Sequence, residues 1–194
     1  MFNLNEQSYI FVFTGPDGAG RKTVAEMIHR SLHIPPVISY TTRPKKPMEV
    51  DRQDYYFISE ESFALSEKNN EFLETIKMDG YSYGLKEKDI EELFENNRSI
   101  IMVLNAEGTK TIKKMYGDRV IRFFIYENTD VVEERQKQRG DSQEDILRHT
   151  AHYEENMQYK EECEHAYKNF DSSHTAFDIT KLLENYLDEK FLEE

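Results

Sequence analysis

A glycine-rich turn between an apolar run and an amphipathic run is the feature that most constrains how this chain can fold. The run Tyr9–Thr14 is short and rich in aromatic and β-branched residues, which is typical of a strand buried on both faces. From Thr23 onwards the apolar residues recur at a helical spacing, and the pair Pro35-Pro36 is expected to stop the helix. This part of the chain therefore predicts a strand, a loop and a helix in that order.

The turn itself spans residues 15–23 and favours phosphate binding. Backbone N–H groups of such a loop, together with the amino end of the following helix, can hold a phosphate. A glycine-rich turn is often only a turn, and it is the flanking strand and helix that favour the functional interpretation. The residues predicted to bind the phosphates of ATP are Gly15, Gly18, Gly20, Arg21, Lys22 and Thr23.

Two positions depart from the standard phosphate-loop pattern, which has a lysine and then a serine or threonine after its last glycine. Arg21 stands in the lysine position and keeps the positive charge, but its planar group is bulkier than an ammonium. Lys22 stands where a hydroxyl would coordinate Mg²⁺, and Thr23 follows one place later. We therefore expect weaker or altered ATP binding.

Further strands alternate with helical segments along the chain. The runs Ile100–Leu104 and Val120–Ile125 also predict buried strands, flanked by charged segments with helical spacing. This alternation predicts an α/β fold with a parallel sheet flanked by helices. Residues 40–90 break the rhythm, and their two expected short strands, Asp54–Ile58 and Tyr81–Gly84, predict a small β-rich subdomain.

The carboxyl-terminal half predicts helices. Segment 129–160 is almost wholly polar, and Ser142 followed by Asp145 resembles a capping box, which predicts a solvated pair of helices. The last helix carries one apolar stripe, which we expect to pack on the sheet. The stripe consists of Ile179, Leu182, Leu183, Tyr186 and Leu187.

Composition narrows the class of protein. The chain has 194 residues, about the length of one domain, with a formal net charge of -13 that argues against general nucleic-acid binding. No stretch has the length and apolarity of a membrane span, so we expect a cytoplasmic protein. The single cysteine, Cys163, and the scattered histidines, of which only His149 and His152 are close, offer no zinc-site pattern. Basic residues cluster in three places, Arg21-Lys22, 43–46 and 135–148, so small anions remain candidate ligands.

Several motifs, in order and spacing, resemble those of the guanylate kinase family. They are Gly15 to Thr23, Ser39-Tyr-Thr-Thr-Arg43, Glu49, Asp54-Tyr55-Tyr-Phe57, Glu71-Phe-Leu-Glu74 and Tyr83-Gly84. The resemblance implies one domain over residues 1–194. Its implied parts are a core at about 8–38, 99–128 and 162–190, a GMP-binding subdomain at about 39–90, and a helical lid at about 129–160.

The resemblance also implies which residues bind GMP. They are Ser39, Arg43, Lys46, Glu49, Tyr55, Glu74, Tyr83 and Asn105. Ser39, Arg43 and Lys46 would hold the phosphate, with Lys46 in a position where arginine is usual. The tyrosines would contact the same phosphate, and Glu49 would organise the site. Glu74 would accept hydrogen bonds from guanine N1–H and the 2-amino group, a donor pair that adenine lacks.

The same comparison exposes departures near the end of the strand at residues 101–105. The family has two aspartates there, spaced by one residue, and this chain has Val103 and Asn105. A hydroxyl that helps to read the base is replaced by Leu85. Together with Lys22, the loss of the two aspartates predicts no protein ligand for the metal, so Mg²⁺ would be held mainly by the nucleotide and water.

The arginines of the implied lid match family arginines that neutralise charge on the transferring phosphoryl group. In a segment as acidic as this one, arginines are otherwise typical of a solvated helix. The residues predicted to act in catalysis are Arg21, Lys22, Arg135, Arg139 and Arg148.

Two hypotheses about function follow, and they belong to different classes. The first is an enzyme that phosphorylates GMP to GDP with ATP. The second is a pseudo-kinase that binds a guanine nucleotide and regulates or scaffolds a partner, because the departures lie mainly on the ATP side. A purely protein-binding domain is disfavoured by the persistence of the GMP-side residues. Either a monomer or a homodimer is compatible with the resemblance.

Overall fold

A computed structural model describes residues 8–97 and 99–188 of the chain. The described residues form two sheets of four strands each. The larger one, the main sheet, has the order β6-β1-β7-β8 and is parallel throughout. Its strands are β1 (Tyr9–Thr14), β6 (Ser99–Val103), β7 (Val120–Tyr126) and β8 (His165–Lys168). The prediction of an α/β fold with a parallel sheet is confirmed.

Helices cover both faces of the main sheet. They are α1 (Arg21–Leu32), α3 (Glu87–Asn96), α4 (Ala106–Tyr116) and α8 (Ser172–Asp188), with one turn of 3-10 helix at Gly117–Arg119. Because successive side chains of a strand point to opposite faces, β1 contributes to two cores. Phe11 and Phe13 pack with α1 and α8, whereas Ile10 and Val12 pack on the side of α3 and α4. The apolar stripe of α8 lies in the first of these cores, as predicted.

The Pro35-Pro36 pair both follows the end of α1 and extends the sheet. Helix α1 ends at Leu32, with His33 in the left-handed region at φ 56°. The chain then runs beside β6, where Pro36 pairs with Ile101 in parallel and Val37 N donates to Ile101 O. Prolines suit this edge position because no further strand needs their missing N–H groups.

The second sheet, which we call the small sheet, lies within residues 40–86 and has the order β3-β2-β5-β4. Its strands are β2 (Tyr40–Thr41), β3 (Tyr56–Phe57), β4 (Phe72–Met78) and β5 (Tyr81–Lys86), and helix α2 (Glu60–Lys68) lies between β3 and β4. The two strands predicted here are present as β3 and β5, and the sheet also contains β2 and β4, which the sequence did not predict. Strand β4 carries Glu74 and Lys77 and pairs with β5 from Phe72 to Met78, with one irregularity between Phe72 and Glu74.

A helical segment follows β7. It contains α5 (Thr129–Arg139), α6 (Gln143–Ala151), α7 (Tyr153–Gln158) and a 3-10 turn at Tyr159–Glu162. The sequence predicted two helices in this segment, and the structure has three. The predicted cap is confirmed, since Ser142 Oγ accepts from Asp145 N at the start of α6. Residues 189 and 190 of the predicted core lie outside the described residues.

Candidate active site

A cleft of about 870 Å³ lies where the main sheet, the small sheet and the helical segment meet. The carboxyl ends of β1 and β6 open into it, the usual place for a ligand site in a parallel α/β sheet. All three basic clusters of the sequence contribute to its walls. The predicted site residues that line it are Gly18, Gly20, Arg21, Lys22, Thr23, Ser39, Arg43, Lys46, Glu49, Tyr55, Glu74, Tyr83, Asn105, Arg135, Arg139 and Arg148.

Gly15 is the predicted residue that does not line the cleft, and its role is steric. Its φ is 130°, and a Cβ at this position would lie 2.0 Å from the carbonyl oxygen of Ile125. Gly20 is restricted in the same way, because its φ is 94° and a Cβ would lie 2.3 Å from Asn169 Nδ2. Both glycines therefore let the loop turn tightly against the ends of neighbouring elements.

The loop leads directly into α1, whose amino end carries no side-chain cap and no acidic residue in its first turn. Buried Asn169 holds the loop from behind, since its Nδ2 donates to Ala19 O at 2.7 Å. Arg135 reinforces this contact through Nη2, which donates to Asn169 O at 2.8 Å. The predicted catalytic Arg135 thus binds backbone carbonyls beside the loop in this structure.

The two cations that follow the loop point in different directions. Arg21 Nη1 donates to Leu104 O at 3.2 Å, and Nη2 lies 2.9 Å from Asp17 Oδ1. Lys22 instead reaches the small-sheet side, where its Nζ is 3.2 Å from Asp54 Oδ1 and 3.9 Å from the centre of the Tyr55 ring. Burial lowers the pKa of Lys22, and the attraction of Asp54 opposes that shift.

The predicted phosphate-binding residues on the GMP side form a compact group. Arg43 Nη2 donates to Glu49 Oε1 at 2.7 Å, and Glu49 Oε2 accepts from Lys46 N at 2.8 Å. The Tyr55 ring lies 5.9 Å from the Tyr83 ring and 5.5 Å from Arg43 Cζ. Glu49 therefore fixes the arginine against the aromatic rings.

Glu74 provides a buried acceptor in the same cleft. Its side chain is 8% exposed, and its Oε1 has no hydrogen-bond partner among the described residues. Burial raises the pKa of Glu74 to about 7, and the nearby Glu107 carboxylate adds to the shift. A buried acceptor without a partner costs free energy unless a ligand supplies donors.

Two positions near Glu74, Asn105 and Leu85, contribute to the local structure. Asn105 caps α4, because its Oδ1 accepts from Gly108 N at 2.9 Å. Its Nδ2 is 3.7 Å from Met78 Sδ, so the amide group faces the cleft as a donor. Leu85 is 1% exposed and packs in the core with Ile90, so it leaves the cleft wall to Gly84.

The helical segment is joined to the small sheet by ion pairs across the cleft. Lys46 Nζ lies 3.2 Å from Asp141 Oδ1, and Arg139 contacts the same carboxylate. Arg148 Nε lies 3.2 Å from Asp79 Oδ1 and also contacts Asp145. Two of the predicted catalytic arginines are therefore held by carboxylates, although the Arg139 side chain stays 40% exposed.

Sequence reasoning missed the acidic partners of these cations. Asp17, Asp79 and Asp141 lie in the cleft wall, but nothing in the local pattern indicates which basic residue each would contact. Asp17 is the exception, since an acidic residue within a phosphate loop is visible in the sequence. Sequence reasoning also assigned no role to His149, whose side chain is only 14% exposed and whose Nε2 lies 3.7 Å from Asp17 Oδ2.

The residues present do not fit a protein-held Mg²⁺ site. No group of three histidine, cysteine, aspartate or glutamate residues is close enough to hold a metal within residues 8–97 and 99–188. Lys22 stands where the standard loop pattern has a hydroxyl and Val103 where the family pattern has an aspartate, and neither can coordinate a cation. Within the same described ranges, no helix is long and apolar enough to cross a membrane.

Comparison with known proteins agrees with this geometry. The family model described as guanylate kinase matches residues 7–187. This chain belongs to the guanylate kinase family, a family of nucleotide kinases.

Curated relatives extend the same result. A guanylate kinase of Carboxydothermus hydrogenoformans is 33% identical over 139 residues, covering 71% of this chain and 68% of that protein. One from Bartonella henselae is 31% identical, and its match covers 73% of this chain and 64% of the relative. One from Fusobacterium nucleatum is 27% identical, covering 91% and 96%. The crystal structure of guanylate kinase from Anaplasma phagocytophilum has the same fold, with a TM-score of 0.74 at 24% identity over 94% of this chain and 87% of that one.

Proposed function

We propose that this protein transfers the γ-phosphoryl group of ATP to GMP, giving ADP and GDP. The observation that carries the proposal is Glu74, a buried carboxylate whose Oε1 lacks a partner among the described residues and faces the cleft. Guanine presents two adjacent donors, N1–H and the 2-amino group, which match the two oxygens of one carboxylate. Adenine presents no such pair, so the residue would select the base.

The phosphate of GMP would bind opposite the base, at Arg43. The guanidinium is already oriented by Glu49, and the Tyr55 ring lies 5.5 Å from Arg43 Cζ and 5.9 Å from the Tyr83 ring. A guanidinium with neighbouring hydroxyls suits a phosphate dianion, because charge-assisted hydrogen bonds are the stronger ones. Ser39 and Lys46 line the same part of the cleft and would complete the phosphate contacts.

ATP would bind along the loop at residues 15–23, with its phosphates at the amino end of α1. Positioning and charge neutralisation supply most of the catalysis in phosphoryl transfer, and Arg21, Arg139 and Arg148 would provide the positive charge. Mg²⁺ would arrive bound to the phosphates of ATP and to water. We further propose that residues 39–90 form the GMP-binding subdomain and residues 129–160 a lid, whose contacts with ligand would replace the Lys46–Asp141 and Arg148–Asp79 pairs.

A second candidate function is guanine-nucleotide binding without efficient turnover. It is favoured by the positions of the loop cations, since Arg21 is paired with Asp17 and Lys22 points to Asp54 and away from the loop. Under this alternative the GMP side of the cleft would work as a sensor or scaffold.

A coupled assay of ADP formation separates the two candidates. ATP and Mg²⁺ would be supplied with GMP, dGMP, AMP or UMP in turn, beside calorimetric measurement of GMP binding. Turnover confined to guanine monophosphates is the expected result. GMP binding without turnover would support the second candidate, and the absence of both would overturn the proposal.

A further inference from the structure

The phosphate loop carries an acid that the proposed reaction does not use. Asp17 lies between Pro16 and Gly18, within the segment whose backbone would hold phosphate. Its side chain is 36% exposed and lines the cleft. A carboxylate at an anion-binding loop is unexpected, because the ligand it would meet is also negatively charged.

The contacts of Asp17 show what the carboxylate does in this structure. Oδ1 lies 2.9 Å from Arg21 Nη2, and Oδ2 lies 3.7 Å from His149 Nε2. Gln136 fixes the backbone at this point, since its Nε2 donates to Asp17 O at 3.1 Å and lies 3.0 Å from His149 Nδ1. The acid is therefore held between the loop and the helical segment.

The electrostatics agree with these contacts. Enclosure in the cleft by itself raises the pKa of Asp17, but the attraction of Arg21, His149, Arg139 and Lys46 outweighs it and holds the pKa below its ordinary value. Arg21, Lys46 and Arg139 come one from each basic cluster, and all three are proposed to contact nucleotide phosphates. The carboxylate thus has the surroundings that a bound phosphate would need.

We propose that Asp17 is an internal competitor for the phosphates of the donor nucleotide, a tethered anion that must give up its contacts with Arg21 and His149 when a triphosphate binds. This inference rests on the proposed function, because it assigns ATP to the loop. Asp17 would therefore weaken the binding of the donor nucleotide. It would weaken the binding of metal-free ATP more than that of ATP carrying Mg²⁺, because the complex with Mg²⁺ has a smaller net negative charge.

The experiment is equilibrium binding of ATP and of inorganic tripolyphosphate to the wild type and to Asp17→Asn, each with Mg²⁺ and with EDTA. Removal of the charge is expected to tighten metal-free binding about tenfold, and Mg²⁺-loaded binding by about threefold. Asp17→Ser provides a second variant with a different shape. Asp118→Asn is the matched control, since it removes one unit of negative charge from an exposed position that does not line the cleft.

The direction of the change distinguishes this role from others. Weaker binding in both Asp17 variants would overturn the inference, since it would mean that the carboxylate organises the loop. Weaker binding with Mg²⁺ alone would also overturn it, by making Asp17 a metal ligand. Wild-type turnover of GMP with unchanged triphosphate affinity in Asp17→Asn would refute the inference and leave the proposed function intact. If neither protein binds triphosphate and the wild type shows no turnover, both are refuted.

Discussion

The two sides of the cleft neutralise their cations in different ways. On the GMP side, Glu49 contacts Arg43 through one oxygen and the backbone N–H of Lys46 through the other. Both carboxylate oxygens of Glu49 thus accept hydrogen bonds from the protein, and the Arg43 guanidinium is oriented before GMP binds. On the ATP side, the partner of Arg21 is Asp17, a residue of the phosphate loop itself. An ion pair can therefore preorganise a site or compete with its ligand, depending on where the carboxylate lies.

The largest expected effect is on GMP binding, at the side of the cleft where Glu49 orients Arg43. Replacing Arg43→Met should weaken GMP binding about 100-fold, because it removes charge-assisted hydrogen bonds to the phosphate. ATP affinity should change little, since Arg43 contacts Glu49 and the aromatic rings. Calorimetry with each nucleotide separately measures both quantities.

Arg30→Met is the matched control for this substitution. Its side chain is 76% exposed on α1, and its Nε lies 2.8 Å from Glu26 Oε1. An equal loss of GMP and ATP affinity in Arg43→Met would show that the GMP side and the ATP side of the cleft are not independent. It would contradict the contrast drawn between them.

The next effect concerns the base. Glu74→Gln should weaken GMP binding about 30-fold and reduce the preference for GMP over AMP, because an amide offers one acceptor in place of two. Glu107→Gln is the contrasting variant, since it keeps the carboxylate of Glu74 and removes the charge that helps to raise its pKa. It should strengthen GMP binding near pH 6.5. Unchanged GMP affinity in Glu74→Gln would remove Glu74 from the site.

The pH dependence of GMP binding follows from the same carboxyl group. With a pKa of about 7, the charged form of Glu74 rises about tenfold between pH 6 and pH 8, and GMP affinity should rise with it. The second ionisation of the GMP phosphate, with a pKa of about 6, contributes as well. Calorimetry on Glu74→Gln across the same range isolates the phosphate contribution, and identical profiles in the two proteins would contradict the assignment.

Stability should show the opposite trend. The folded-state pKa of Glu74 is raised above the ordinary 4.5, so the unfolded chain loses this proton first as the pH increases. The contribution to stability is therefore fully present below pH 4.5 and is lost between pH 4.5 and about 7, amounting to about 3 kcal/mol. Urea unfolding of Glu74→Gln should lack this decline. A carboxylate that costs stability near neutral pH, with one oxygen that has no partner among the described residues, is typical of a group retained for a ligand.

The sequence predicted the main sheet better than the small one. Strands β1, β6 and β7 are apolar on both faces, which makes them visible without knowledge of their neighbours. Strand β4 reads as a mixture of charged and apolar residues, and β2 and β3 have only two residues each. Their pairing is decided by the neighbouring β5, and a local pattern does not report such long-range contacts.

The candidate site was also predicted only in part. The motifs placed Arg43, Glu74 and the loop in one cleft, because their order along the chain resembles a known family. The orientation of Lys22 towards Asp54 and the pairing of Lys46 with Asp141 are tertiary contacts between distant segments. Residue type indicates that a lysine will carry charge, but not which carboxylate will hold it.

The smallest expected effect returns to the loop. Arg21→Lys combined with Lys22→Ser restores the residue types of the standard pattern and should raise turnover about fivefold, because a lysine fits the β- and γ-phosphates and a serine hydroxyl can coordinate Mg²⁺. The gain is small because Asp17 stays in the loop and Val103 adds no ligand. Arg21→Lys alone separates the two changes, and the coupled assay measures each.

A gain of 100-fold or more would show that the loop cations alone limit the reaction, and Asp17 would then have little influence. No gain would place the limit at residue 17 or 103, and adding Asp17→Asn to the double variant decides between these two positions.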